Sequence, residues 1–221
     1  MKPFSQACEN NKQPILAVLK NYFANASGIL EIGSGTGQHA VFFAENLPGL
    51  FWQTSDQAPF HRGINLWIDD VAFDNIGKPI ALDVRQKEQW PANIVNKQEH
   101  GVRFSGVKFD GVFSANTAHI MSWDAVVEMF RGVGCLLMDN GLFILYGPFN
   151  RNGEFTSPSN EKFHGGLLRQ DPQMGIRDDR AIVALANRNK LSLIDDVAMP
   201  ANNRILVFSK CFYKTSVKSA I

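Results

Sequence analysis

The chain of 221 residues is 45% hydrophobic and 19% charged, which fits one α/β domain over residues 1–221 with a full core. Its 22 Lys and Arg residues balance 21 Asp and Glu residues without a basic run, which argues against a nucleic-acid partner. Three cysteines without paired spacing argue against a metal or disulfide site, and no apolar signal or membrane segment stands out. We therefore expect a soluble cytoplasmic protein.

Apolar periodicity and turn residues divide the chain into alternating helices and strands. In chain order, the predicted elements are a helix over 14–23 that begins at Pro14, a strand over 29–32, a helix over 38–47, a strand over 50–55, a helix over 59–74, strands over 79–84 and 109–115, a helix capped by Ser122, a strand over 141–146, a helix opened by Ser157 and Pro158, a helix over 178–189, and strands over 191–199 and 204–211. Residues 85–108 show only weak helical character around 88–96, and no element is assigned there.

This order predicts a Rossmann-like, doubly wound sheet of seven strands, mostly parallel with an antiparallel last strand. Residues 147–177 are polar and too long for a simple connection. Because this insertion follows the tip of the fifth strand, we expect it to form a mobile cover over a bound substrate, together with residues 3–12.

Gly33, Gly35 and Gly37 alternate with small polar residues directly after the first strand. Glycines at alternate positions allow positive φ and let a ligand approach the backbone closely. Such loops at a strand-to-helix turn bind adenosine cofactors, although a tight turn without a ligand would show the same pattern.

The register of the loop separates two cofactor classes. A dinucleotide loop requires a small residue five positions after Gly33, where this chain has Gln38, and a register shifted to Gly35 leaves two extra residues before the turn. Glu31, one residue before the strand ends, is typical of methyltransferases, in which it supports the loop and interacts around the cationic end of the cofactor. The loop therefore favours S-adenosylmethionine and disfavours a nicotinamide-dependent oxidoreductase.

Further polar residues follow the strand tips. Asp56 ends the second strand and is placed to accept hydrogen bonds from ribose hydroxyls, or to cap a helix before Pro59. Asp83, at the tip of the third strand, is placed to read the adenine amino group. His39, in the first turn of the loop helix, faces the methionine end of the cofactor or caps nearby backbone.

The segment Leu30–Gly37, together with Asp56 and Asp83, resembles the class I S-adenosylmethionine-dependent methyltransferases. Further segments resemble one uncharacterised branch, which includes methyltransferase-like 26. These segments are distributed over nearly the whole chain. They are Pro3–Ser5 with Ala7–Glu9, Gly37–Ala40, Ala115–Asn116 with His119–Ile120, Leu145–Phe149, Ser157–Asn160, Gly175–Asp178 and Met199–Asn203. The resemblance implies the fold and the cofactor but no particular substrate. The expected cofactor-binding residues are Glu31, Gly33, Ser34, Gly35, Gly37, His39, Asp56, Asp83 and Asn116.

The turn after the fourth strand differs from better-known relatives. Methyltransferases of planar amines often carry Asn or Asp, two prolines and an aromatic residue there, whereas Asn116 precedes Thr117, Ala118 and His119. The missing aromatic clamp argues against nucleobase or glutamine-amide methylation. Together with the short chain, it favours a small-molecule substrate.

Ligands of a doubly wound sheet bind outside the carboxyl ends of the strands, so Asn116, His119, Tyr146 and Asn202 are expected to share one rim. The first three are the candidate catalytic residues. Positioning donor and acceptor in line supplies much of the rate of methyl transfer, and only a protonated acceptor needs a base. His119, with an expected pKa near 6.5, is the candidate base, although it could equally bond the backbone or pack beneath the loop.

The candidate substrate-binding residues are Trp123, Asn160, Asn202 and Asn203. Trp123 could pack over the adenine or be a helix-core residue, and the two hairpin asparagines could simply supply left-handed turn geometry. The sequence thus favours a small-molecule methyltransferase. A cofactor-binding protein that lost transfer and acts through protein partners is the alternative, which the polar residues of the rim disfavour.

Overall fold

The computed structural model describes residues 1–91, 98–99, 102–103 and 108–211. The helices of these residues are α1 (Gln6–Tyr22), α2 (Gln38–Asn46), α3 (His61–Ile68), α4 (Trp123–Leu136), α5 (Pro158–Gln170) and α6 (Asp179–Arg188). The strands are β1 (Gly28–Ile32), β2 (Phe51–Asp56), β3 (Ile76–Ala81), β4 (Gln98–Glu99), β5 (Val102–Arg103), β6 (Phe109–Ala115), β7 (Leu137–Gly147), β8 (Phe149–Asn150), β9 (Arg177–Asp178), β10 (Leu191–Met199) and β11 (Asn203–Lys210). Short 3₁₀ turns are Ala58–Phe60, Lys87–Gln89 and Pro200–Asn202.

Strands of the described residues form a seven-stranded sheet in the order β10-β11-β7-β6-β1-β2-β3. The strands from β7 to β3 in this order run parallel, β11 is antiparallel to β7, and β10 pairs antiparallel with β11. The chain winds outward from β1 to β3 and then crosses back to β6, so the strand order reverses between β1 and β6. The predicted α/β fold, doubly wound with an antiparallel last strand, is confirmed.

Apolar side chains cover both faces of the sheet, as a sheet between two helix layers requires. On one face, the Phe43 ring of α2 lies 5.4 Å from the Trp52 ring and 5.5 Å from the Phe113 ring, centroid to centroid. On the other face, Phe130 of α4 lies 5.3 Å from Phe143. Each fully buried side chain of this size contributes about 1.5–3 kcal/mol of transfer free energy, so the sheet is a rigid base for the loops at its edge.

Helix α1 begins at Gln6, well before the predicted start at Pro14. Ser5 caps the helix, because its hydroxyl accepts a hydrogen bond from the backbone N–H of Cys8 at 3.4 Å. Pro14 therefore lies inside the helix, and the prediction that it opens the helix is wrong. The buried apolar face of α1 offsets the hydrogen bond that the proline removes.

Other boundaries also differ from the predicted ones. β3 ends at Ala81 rather than at 84, so Asp83 lies two residues beyond the strand. α3 ends at Ile68 rather than at 74, and β7 begins at Leu137 rather than at 141. Strand ends depend on pairing with neighbours, which apolar periodicity does not report. Of the weakly helical stretch, residues 92–96 lie outside the described residues.

Two helix caps lie where the sequence places them. The Ser122 hydroxyl accepts the Ala125 N–H at 3.3 Å and starts α4, and the Ser157 hydroxyl accepts the Asn160 N–H at 3.1 Å and starts α5. α5 lies in the predicted insertion 147–177. The insertion also contains β8 and the first residue of β9, and these two strands pair in parallel. The insertion therefore has secondary structure of its own.

No helix in the described part of the chain combines the length and the apolarity needed to cross a membrane. The same residues hold no group of three or more His, Cys, Asp or Glu side chains placed to bind a metal ion. Cys8, Cys135 and Cys211 are free thiols.

Candidate functional site

A cavity of about 1190 Å³ opens at the carboxyl edge of the sheet, beside the point where the strand order reverses. Doubly wound folds bind their ligands at this point. The cavity wall draws on residues from segments 5–11, 32–39, 56–60, 82–85, 115–125, 146–148, 159–174 and 200–203. Its volume exceeds the roughly 300–1,000 Å³ of an ordinary ligand pocket, so two small molecules fit side by side.

The glycine loop has the left-handed backbone that the sequence predicts, with φ of +74° at Gly33, +57° at Gly35 and +90° at Gly37. A Cβ at Gly33 would stand 2.7 Å from the Thr117 methyl carbon, and one at Gly37 would stand 3.0 Å from the Ile64 Cα. At Gly35, which lines the cavity, nothing lies within 4 Å of the Cβ position. The outer glycines therefore permit close protein packing, whereas Gly35 leaves an open cradle.

Asp56 ends β2 and lines the cavity beside this loop. One carboxylate oxygen accepts the backbone N–H of Gly35 at 2.8 Å, and the other accepts that of Gln57 at 2.7 Å. Burial raises the pKa of this carboxyl above its ordinary value, and the two hydrogen bonds oppose that rise. Each oxygen keeps a further lone pair, so Asp56 can fix the loop and accept a ligand hydroxyl together.

Asp83 lines the cavity from the turn after β3. Its carboxylate accepts three hydrogen bonds from Arg85, from the backbone N–H at 3.1 Å, from Nε at 3.0 Å and from Nη2 at 2.7 Å. These bonds lower the pKa of the carboxyl. A ligand amino group that contacts Asp83 must share this carboxylate with Arg85.

Glu31 lies behind the glycine loop rather than on the cavity wall and is 2% exposed. Its carboxylate accepts a hydrogen bond from Trp52 Nε1 at 3.1 Å. Burial raises the pKa of Glu31 to about 7, against the lowering effect of hydrogen bonds from Trp52 and Ser34. The expected support of the loop is present through Ser34, whereas the carboxylate lies off the cavity wall, and the expected contact around the cationic end of the cofactor stays a prediction. Strand alternation explains the position of the carboxylate, since it turns Glu31 toward Trp52.

His39 and Asn11 form a buried pair on the cavity wall, with Nε2 2.6 Å from Oδ1. Burial lowers the pKa of His39 to about 4, so the neutral ring donates from Nε2 to the amide oxygen. Asn11 also hydrogen bonds to the phenol of Tyr146, whose pKa burial raises. Sequence reasoning missed Asn11, because a lone asparagine in an amphipathic helix reads as a surface residue.

The start of α1 is tied to the loop helix and to α3. The Gln38 amide accepts the Ser5 N–H at 2.5 Å and donates to Glu9 at 2.8 Å. Trp67 Nε1 donates to the Pro3 carbonyl at 2.9 Å. Ser5 lines the cavity, so this helix forms a fixed part of the wall. The resemblance of residues 3–9 to the family was the signal in the sequence that could have predicted this part of the wall.

The turn after β6 brings Asn116 and His119 into the cavity, next to Tyr146 at the end of β7. Asn116 has φ of +58°, and its N–H donates to the Tyr146 carbonyl at 2.9 Å. His119 is 5% exposed, and burial, with a smaller contribution from the charge of Arg177, lowers its pKa to about 4. The expected pKa near 6.5 is therefore wrong, and the imidazole is neutral at physiological pH.

Asn160 and Asn203 line the cavity, whereas Asn202 does not. The Asn160 amide donates to Thr156 Oγ1 at 2.9 Å and to the Asn202 carbonyl at 3.1 Å, and Asn202 donates to Ser159 Oγ at 3.3 Å. Asn202 has φ of +57°, so it supplies left-handed turn geometry, but Asn203 has φ of −89° and does not. Asn202 thus acts on the rim only through its neighbours, contrary to the expected position on it.

Trp123 lies outside this cavity, which differs from its predicted place over the adenine. It lines a separate cavity of about 350 Å³ between α4 and α6, and the Arg177 guanidinium lies 5.9 Å from its ring centroid. As the first residue of α4, it is directed toward α6 instead of the sheet edge. Ile120, Phe163 and Met174 are among the apolar residues that line the larger cavity, and sequence reasoning did not single them out as site residues.

The fold is shared with solved methyltransferases. An O-methyltransferase family protein from Burkholderia thailandensis matches with a TM-score of 0.73 at 12% identity, over 90% of this chain and 56% of that protein. Human N-acetylserotonin methyltransferase in complex with SAM matches with 0.73 at 10% identity, over 94% and 53%. A putative O-methyltransferase from Nostoc punctiforme PCC 73102 matches with 0.73 at 16% identity, over 92% and 56%. This chain spans little more than half the length of these structures.

The strand order and these likenesses define the class, because they show that the chain has the class I methyltransferase fold. A family model described as protein of unknown function (DUF938) matches residues 2–210. The chain therefore belongs to that family. Because one fold hosts many functions, the activity must be argued from the site.

Proposed function

We propose that this protein binds S-adenosylmethionine and transfers its methyl group to a small molecule. The main observation behind this proposal is the open space at Gly35, which lies beside Asp56. Both residues line a cavity that is larger than one ligand needs and lies where the strand order of the sheet reverses. Solved neighbours described as S-adenosylmethionine-dependent or bound to SAM or SAH support this cofactor. A place in the branch of methyltransferase-like 26 and a cytoplasmic location belong to the same proposal.

The residues at one end of the cavity fit this cofactor. Gly35, with Gly33 beside it on the cavity wall, would give the backbone approach that an adenosine ligand needs, whereas Gly37 packs against Ile64 off the wall and supports the turn. Asp56 would accept hydrogen bonds from the ribose hydroxyls, and Asp83 would face the adenine amino group. The amino-acid half would lie toward the polar wall that contains His39. The other expected cofactor contacts are the Ser34 and Asn116 polar groups, which also line the cavity.

The catalytic contribution of the protein is mainly positional. When bound, the cofactor supplies an electrophilic methyl group on a cationic sulfonium. Asn116 and Tyr146 would orient the acceptor in line with that group, which supplies much of the rate. His119 would accept a hydrogen bond from the acceptor through its neutral ring. With a pKa of about 4 it can remove a proton only from a group that becomes acidic during transfer.

The other end of the cavity suits a small acceptor with an apolar body. Ile120 and Phe163 are 49% and 44% exposed, which leaves apolar surface for a ligand to cover. Asn160 and Asn203 add amides beside this surface. An apolar wall with a few polar groups is typical of small-molecule sites.

We also propose that residues 147–177 close over the acceptor. This segment supplies Phe163 and Met174 to the cavity wall. Residues 3–12 are held by Gln38 and Trp67, so we restrict the moving part to the insertion. Its end, residues 175–177, is held to residues 118–121 by hydrogen bonds and would stay in place. Amide exchange with S-adenosylhomocysteine should show greater protection of the insertion than exchange without it. Equal protection would contradict a cover.

Calorimetry tests the cofactor. S-Adenosylmethionine and S-adenosylhomocysteine should bind, and NAD should not. Gly35→Ala should weaken binding because it fills the cradle. Gly153→Ala is the matched control, since Gly153 also has a left-handed backbone, with φ of +87°, and open space around its Cβ position, but lies outside the cavity wall. Tight NAD binding without an S-adenosylmethionine signal would end the proposal.

Transfer is tested separately with labelled S-adenosylmethionine and a small-molecule cell extract. A labelled metabolite formed by the native protein, and formed more slowly by Gly35→Ala, is the expected result. Cofactor binding without transfer would favour the alternative function, a cofactor-binding protein that acts through protein partners. The polar groups at Asn116, His119 and Tyr146 favour transfer over that alternative.

A further inference from the structure

Arg177 lies just outside the cavity and holds the turn that carries His119. Its guanidinium donates from Nε to the Ala118 carbonyl at 3.0 Å, and from Nη2 to the Met121 carbonyl and to the Gln173 carbonyl, the latter at 2.8 Å. Two of these three carbonyls flank His119 in sequence. The planar fork of arginine can grip several carbonyls at once, which an ammonium cannot do with fixed geometry.

The charge of Arg177 has no carboxylate partner within ion-pair distance among the described residues. The side chain is half-buried, and burial lowers its pKa, yet a guanidinium stays protonated in proteins. The Trp123 ring, 5.9 Å away, covers it on one side. A half-buried cation without a carboxylate partner loses part of its hydration, and here three backbone carbonyls and the Trp123 ring replace it. The position of these contacts next to the site turn points to a use beyond stability.

The same chain segment holds His119 by a second contact. The Gly175 N–H donates to the His119 carbonyl at 2.9 Å. From α5, the Phe163 ring lies 5.4 Å from the imidazole, and a Cβ at Gly147, at the end of β7, would stand 3.6 Å from Nδ1. The backbone and the ring of His119 are therefore both confined.

We propose that Arg177 is a positioning residue that aims His119 into the cavity, toward the acceptor, by holding the Ala118 and Met121 carbonyls. This inference rests on the proposed function only for the identity of the acceptor. Titratable side chains on the elements around His119 are Asp139 and Tyr146 on β7, Glu161, Lys162, His164 and Arg169 on α5, and Asp171 and Arg177 on the segment after it. Among these, the charge that acts on His119 is that of Arg177, which opposes a second cation nearby.

Two substitutions of Arg177 distinguish the effect of its charge from the effect of its hydrogen bonds to the backbone carbonyls. Arg177→Gln removes both the charge and the fork, so amide exchange of residues 118–121 should become faster, and in a ¹⁵N NMR titration the pKa of His119 should rise by the smaller part that the charge contributes. Arg177→Lys keeps the charge but loses the fork, so that pKa should stay low while amide exchange of residues 118–121 becomes faster. Arg188→Gln removes a charge from the end of α6 and is the control, for which neither signal should change.

Unchanged amide exchange of residues 118–121 in Arg177→Lys would overturn the proposal. If Arg177→Gln does not fold, the exchange rates of Arg177→Lys still decide. Both readouts are independent of methyl transfer, so they can fail while the proposed function stands. If transfer is established, Arg177→Lys should slow it at least tenfold with unchanged S-adenosylhomocysteine affinity, and an unchanged rate would contradict the positioning role.

Discussion

The two ends of the cavity are built by different means. The cofactor end, formed by the glycine loop with Asp56 and Asp83, comes from one stretch of chain, residues 31–85, and depends on backbone groups. The loop N–H groups of residues 33 and 34 both donate to the Ser55 carbonyl at 3.0 Å. The acceptor end, formed by residues 116–121, 146–148, 159–177 and 200–203, joins distant segments through side chains such as Arg177.

This difference implies that the cofactor end has a fixed shape, whereas the shape of the acceptor end can vary. A backbone cradle tolerates many side-chain changes but no Cβ at its tight glycines. A wall of side chains from several segments can change its shape by single substitutions, and such walls commonly set substrate choice. We therefore expect cofactor-end variants to lose stability or cofactor affinity and acceptor-end variants to lose rate.

The largest effect is expected where the two ends meet. Gly33→Ala would place a Cβ at φ of +74°, which costs about 1–2 kcal/mol, and 2.7 Å from the Thr117 methyl, which adds about 1–3 kcal/mol of overpacking. The free energy of unfolding, measured with urea, should fall by about 2–5 kcal/mol. Adding Thr117→Ser removes the methyl but keeps the hydroxyl that pairs with Ser114, and should recover only the overpacking part. No loss in Gly33→Ala would show that the ends do not touch.

The buried carboxyl of Glu31 should make the cofactor end sensitive to alkali. Its pKa of about 7 in the folded protein lies above the ordinary value of 4.5. The stability that it contributes is therefore fully present below pH 4.5 and is lost as the pH rises through 7, by on the order of 3 kcal/mol. Glu31→Gln should be more stable than the native protein at pH 8 and lack this decline. Parallel stability curves for the two proteins would contradict the buried charge.

His119, by contrast, should make the acceptor end sensitive to acid, because its pKa is lowered to about 4 from 6.5. Its contribution to stability is present above pH 6.5 and is lost as the pH falls through 4. His119→Gln should therefore lose less stability than the native protein between pH 6.5 and 4 in urea unfolding. Equal losses would mean that the imidazole is not buried in its neutral form.

Substitution of His119 should lower the rate of methyl transfer more than it lowers the affinity for the cofactor. His119→Ala should slow transfer by about 100-fold, the lower end of the range for acid–base groups. Because the native ring acts as a neutral hydrogen-bond acceptor, His119→Gln should restore most of that rate, and the native rate should not titrate with His119 between pH 5 and 8. If both variants fold, bind cofactor and are equally slow, His119 is a proton-accepting base instead.

The smallest effect is expected at Asp56, which belongs to the backbone-built end. Asp56→Ala should weaken S-adenosylhomocysteine binding by about 1.5–3 kcal/mol, the scale for hydrogen bonds to a charged group. Asp56→Asn keeps an oxygen for the Gly35 N–H, so it should retain the loop and lose less affinity. Calorimetry of both variants measures the difference. Unchanged affinity in Asp56→Ala would limit this carboxylate to supporting the loop.

The fold could be predicted from local patterns. Apolar runs bounded by turn residues marked all seven strands of the main sheet, and Ser122 and Ser157 marked two helix starts. Boundaries were less predictable, as the positions of Pro14 inside α1 and Asp83 beyond β3 show. The reason is that caps and strand pairing override the local signal of a single residue.

The sequence by itself determined the doubly wound sheet and the glycine loop, because both depend on short-range backbone preferences and on the alternation of apolar residues. Only the tertiary structure decided that Glu31 faces Trp52, that Trp123 leaves the cavity, and that Asn11 enters it. It also decided the low pKa of His119. Burial and long-range contacts set these features, and they arise between segments that are far apart in the chain.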